Sequence, residues 1–62
     1  MKNSATIKFT DLESTDEALV FVRYDESAVA LGLSIQSAGD MEVFMTKETA
    51  RAVIKALQVA VM

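Results

Sequence analysis

The stretch MEVFMTKETARAVIKALQVAVM, residues 41–62, decides the fold, because two different periods meet inside it. Met41, Val43 and Met45 alternate with Glu42 and Phe44, which is the period of a strand whose two faces meet different surroundings. Thr46 then stands where its hydroxyl can accept from an unpaired backbone N–H in the first turn of a helix. At about 100° per residue, Arg51, Lys55, Gln58 and Met62 fall in one narrow sector, while Ala50, Val53, Ile54, Leu57, Ala60 and Val61 crowd the opposite side. Ala52, Ala56 and Val59 widen the apolar arc to about 220°, whereas a helix resting on one core needs a stripe of little more than about 100°. The spacing therefore predicts a helix over 46–62 with two duties. Ala50, Val53, Ile54, Leu57 and Val61 are expected to cover the chain's own sheet. The candidate interface with a second subunit or partner is Ala52, Ala56, Val59 and Ala60, together with Leu57.

Working back toward the N-terminus, residues 28–36 alternate more sharply still. Val29, Leu31, Leu33 and Ile35 point one way, and Ala28, Ala30, Gly32 and Ser34 the other. The second face is unusually small, and a glycine inside a strand often marks a bulge or a close approach. Either something packs tightly on Gly32 or this is a solvent face that lacks long polar side chains. Between this strand and the next, Ser37-Ala38-Gly39-Asp40 predicts a turn, with Gly39 available for a positive φ.

Upstream, Ala18 to Tyr24 is dense in β-branched and aromatic residues that favour a pleated surface, and it is expected to be a central strand with both faces buried. Asp25-Glu26-Ser27 ends it in a turn. Ala5, Ile7 and Phe9 alternate with Thr6, Lys8 and Thr10, a first strand over 5–10. Residues 11–17 are polar and acidic and suit a loop. Ser14 and Glu17 also have capping-box spacing, so the start of a short helix is the competing expectation there.

Four strands joined by short links and followed by one helix predict an α+β fold: an antiparallel meander of three to four strands, covered on one face by the C-terminal helix in two layers. No repeat or linker divides residues 1–62, so a single small domain is expected. A chain of 62 residues buries only about 60% of the surface its unfolded form exposes. With no Cys and no His, disulfides and the usual zinc ligands are absent as reinforcements, which leaves association. The exposed strand edges of such a sheet offer another route to a dimer.

The same two absences weigh against catalysis, because they remove the commonest general base near neutral pH and the best thiol nucleophile. None of Ser4, Ser14, Ser27, Ser34 or Ser37 lies in a Gly-x-Ser-x-Gly elbow. The carboxylate pairs Asp11/Glu13, Asp16/Glu17, Asp25/Glu26 and Asp40/Glu42 fall mostly in or beside turns, where water solvates acids. An EF-hand fails on its required positions, which hold Asp16 and Val22 here. Gly32 and Gly39 are the only glycines, too few for a phosphate loop. No cofactor and no metal are expected.

Net charge is −3, yet residues 11–42 hold eight acids against the single base Arg23. Solvated turns account for this segregation, with an acidic docking surface as the alternative. Met41 and Met45 are expected to fill core, and alternation is expected to bury most of Phe9, Phe21, Tyr24 and Phe44. Met1 to Lys8 has no apolar signal segment, and no uncharged run is long enough to span a bilayer, so a cytoplasmic protein without membrane contact is expected. These features favour a non-enzymatic protein-binding module that forms a homodimer through its helix, its sheet edges or both. Two alternatives carry less support: an inhibitor of the phage or mobile-element kind that binds a host protein, and a weak nucleic-acid contact through Arg51 and Lys55.

Overall fold

The computed structural model describes residues 3–62. Met1 and Lys2, part of the stretch inspected for a signal segment, lie outside the described residues. The chain forms β1 (Asn3–Thr10), β2 (Glu17–Tyr24), β3 (Val29–Ile35) and β4 (Gly39–Met45), followed by α1 (Lys47–Ala60). The strands pair antiparallel in the order β1-β2-β3-β4, a meander. With one helix on one face, the fold is α+β, and the helix touches the sheet sparingly, chiefly near β4.

Local chemistry explains each reversal. In the first connection, the Asp11 carboxylate accepts from the Ser14 N–H at 2.8 Å and from its hydroxyl at 2.9 Å, while the Thr15 N–H bonds to the Asp11 carbonyl. Ser14 is thereby committed to the turn, and Glu17 opens β2, so no capping box forms and residues 11–16 are a loop. Thr15 sits at φ 62, a conformation β-branched residues adopt reluctantly, held by this network. Asp25 builds the second turn by accepting from the N–H groups of Ser27 and Ala28. The third is a three-residue loop in which the Ala38 N–H bonds to the Ile35 carbonyl and Gly39 takes φ 86, as expected of the residue that follows such a turn.

Pairing lengthens two strands beyond their alternating cores. Asn3 and Ser4 pair with Tyr24 and Arg23, and Gly39 and Asp40 pair with Ile35 and Ser34. The Thr46 hydroxyl accepts from the Thr49 N–H at 3.1 Å, which starts the helix where expected. The helix stops two residues short of the predicted end. No glycine closes it, and the Met62 N–H instead reaches the Val59 carbonyl, three residues back.

The register assigns the faces. Across the sheet, Phe9 stands beside Ala18 and Ile35, Ile7 beside Val20 and Leu33, and Val22 beside Leu31 and Val43. These share one uncharged, apolar face. The opposite face carries Lys8, Glu17, Phe21, Arg23, Ala30, Gly32, Ser34, Asp40, Glu42 and Phe44, and its centre, at Ala30 and Gly32, is covered from within. The Phe21 ring lies on Gly32, directly opposite in the register, so that a Cβ on Gly32 would collide with the ring. Of the two expectations for Gly32, close packing is correct, and the packing group belongs to the neighbouring strand. Beside it, Arg23 reaches diagonally to Glu42 with two bonds of 2.8 and 2.6 Å, above a fully buried Ala30.

Candidate functional site

The apolar face and α1 together form the candidate site, and their relation is unusual for a two-layer domain. Ala50, Val53, Ile54 and Leu57 face Val20, Val22, Tyr24, Val29, Leu31 and Met45 across an open cleft of about 380 Å³. No helix residue is buried: Ile54 is 54% exposed and Leu57 60%. At the N-terminal end of the helix, the Lys47 ammonium sits 5.8 Å from the centre of the Tyr24 ring, a favourable cation–aromatic contact. The helix thus lies over one end of the sheet. The other end, where Phe9, Leu33, Met41 and Ala18 meet, holds a second open depression of about 340 Å³.

Several expectations change in consequence. Ala50, Val53, Ile54 and Leu57 do turn toward the sheet, but Val61 lies beyond the end of the helix, exposed, and covers nothing. Met45 is half-buried near the start of the helix, whereas Met41, expected in the core, is 68% exposed because the helix does not reach it. Phe9 and Tyr24 are more exposed than alternation implied, and Phe44 is 64% exposed on the opposite face. β2 is an inner strand as expected, yet apart from the buried Ala18 its residues are half-buried or exposed rather than enclosed on both faces. Alternation tells which residues share a face; it does not tell whether anything covers that face.

Among the candidate interface residues, Ala52, Ala56, Val59 and Ala60 are all exposed and stand outside the cleft that Leu57 lines. What sequence reasoning missed is the sheet's share of the site. Ile7, at the margin of the cleft, and Leu33, Met41 and Val43 outside it are exposed apolar residues of one sheet face, signalled beforehand only by their common alternation phase.

Four of the nine acidic residues have side-chain partners. Asp11 lies below its ordinary value of 3.8 because its carboxylate accepts first from the Ser14 N–H and then from the Ser14 hydroxyl. Asp25 is lowered by the N–H groups of Ser27 and Ala28 and then by the Ser27 hydroxyl. Asp40 accepts from the Ser34 hydroxyl, and Glu42 is the partner of Arg23. Among the described residues, no group of three His, Cys, Asp or Glu side chains gathers to hold a metal ion, and no helix is long and apolar enough to cross a membrane. Arg51 and Lys55 lie exposed on the helix.

No protein-family profile, curated protein or solved structure matches the chain.

Proposed function

We propose that this chain is a non-catalytic protein-binding module that acts as a homodimer, with α1 and the apolar sheet face as the associating surface. One observation carries the proposal: a helix with an apolar arc of about 220° has no buried residue, so the hydrophobic effect that would hold it in place is largely unspent within one chain. The dimensions agree with this. The radius of gyration is 12.7 Å, against about 10.6 Å for a compact domain of this length.

Sedimentation or light-scattering mass is the direct test. The unmodified protein should run at twice 6.7 kDa at micromolar concentration. Leu57→Asp, which places a charge in the cleft, should give a monomer or an unfolded chain. A stable, folded monomer of the unmodified protein would overturn the proposal.

A further inference from the structure

Resting on the homodimer just proposed, we infer how the two copies meet: the α1 of each copy covers the bare end of the other's apolar sheet face, so that two helices lie side by side between two sheets. The chain exposes 5068 Å², whereas a folded monomer of its mass, 6.7 kDa, exposes about 3,900 Å². The excess is about 1,200 Å² per chain. A standard interface takes about 800 Å² from each partner and obligate homodimers begin near about 1,000 Å², so the surplus matches one intimate interface between two copies.

The location of the surplus selects the arrangement. Its large apolar side chains lie on Ile7, Leu33, Met41 and Val43 of one sheet face and on the helix, and the edge strand β1 is exposed throughout. Pairing β1 with β1 would satisfy backbone groups and leave both those sheet residues and the cleft wet. A helix from a second copy laid on them covers them.

The helix is built for such a place. Taking the direction of Ala50, Val53, Ile54 and Leu57 as facing the chain's own sheet, the 100° rotation per residue puts Val59 and Ala52, in one row with Glu48 and Lys55, on roughly the opposite side, toward a second sheet. Ala56 and Ala60 then lie to one flank, where small side chains let a neighbouring helix approach to about 8–10 Å between axes. Arg51 and Gln58 lie to the other flank, in water. A neighbouring helix on the Ala56 and Ala60 flank and the near part of a second sheet at Val59 and Ala52 extend the contact to the limits of the apolar arc of about 220°, of which one sheet accounts for only about half.

Charge permits the same packing. The apolar face of the sheet carries no acid or base, and Arg23, Glu42, Lys8 and Asp40 all stand on the outer face. Closing the two sheets over the helices therefore strands no sheet charge away from water, while Glu48 and Lys55 on the helix must reach the rim on their long stems to stay solvated. An isologous pair also makes both contacts twice, since each copy offers the same helix and the same sheet residues.

The absence of cysteine makes the test direct. Met41→Cys is refolded in equal amounts with Val59→Cys or with Ala52→Cys, and the mixture is oxidised. The expected product is a disulfide-linked pair containing one chain of each variant, in greater yield than either variant gives alone. Alongside, Leu33→Glu with Met41→Glu should shift the mass from dimer to monomer. Because both side chains are exposed in the single chain, circular dichroism should still report its strands and helix. Should that double variant fail to fold, the mixed disulfide decides alone. A dimeric unmodified protein that gives no mixed disulfide, or that cross-links only through Thr6→Cys on β1, would overturn this arrangement while leaving homodimerisation intact. A monomeric unmodified protein would overturn both.

Discussion

The two faces of the same four strands reach opposite outcomes. On one, Phe21 covers Gly32, and the Arg23–Glu42 pair roofs Ala30, so that short side chains are matched by long ones from the adjacent strand. On the other, most positions are apolar and none is charged, and the helix meant to cover them stands off across an open cleft. Apolar composition and closure are therefore separate properties. A face closes within one chain when cross-strand neighbours are complementary in size and charge. An uncharged, apolar face waits for a second layer, and one helix of 14 residues is too narrow to cover four strands.

Gly32→Val places methyl groups where the Phe21 ring now lies, and overpacking of this kind costs about 1–3 kcal/mol; urea unfolding should show the loss. Unchanged stability would mean that the outer face is as loose as the inner one. Removing the neighbouring roof is milder. Arg23→Ala exposes Ala30 and ends a pair whose side chains are 42% and 24% exposed, so solvent screening limits the expected loss to about 1 kcal/mol or less. A larger loss would reveal that the Arg23 stem packs more than its charge pairs.

The smallest effect serves as a control, because Asp25 belongs to the β2–β3 turn and to neither face. Its carboxyl titrates below the ordinary 3.8, chiefly through the Ser27 N–H, so its stabilising contribution is present above that value and is lost as pH falls through the lower folded value. Thermal melts from about pH 5 down to about pH 3 should fall less steeply in Asp25→Asn than in the unmodified protein. If the two profiles coincide, the turn is held by its backbone bond from the Asp25 N–H to the Ala28 carbonyl instead.

Much of the fold is legible in the order of residues because the interactions responsible are local. Alternation at Val29 to Ile35, the Asp25 turn, the positive φ of Gly39 and the Thr46 cap each depend on neighbours within about four positions. The candidate site is legible only in part. Ala50, Val53, Ile54 and Leu57 turn toward the sheet as their spacing requires, since helical geometry fixes their common direction. Nothing local could indicate that Met41 would lie bare while Met45, in the same phase four residues on, would not. That difference depends on where the helix axis falls.

The sequence by itself therefore determined the elements, their boundaries to within two residues, the meander, and the phase that gathers the apolar residues on one face and leaves the charges of the sheet on the other. Short-range hydrogen bonding and side-chain periodicity suffice for all of these. Only the tertiary structure decided that Phe21 is what lies on Gly32, that Arg23 crosses to Glu42 over Ala30, and that α1 leaves half of the apolar face uncovered. Each of these depends on strand register or on a helix-to-sheet distance, set by contacts between residues far apart in the chain.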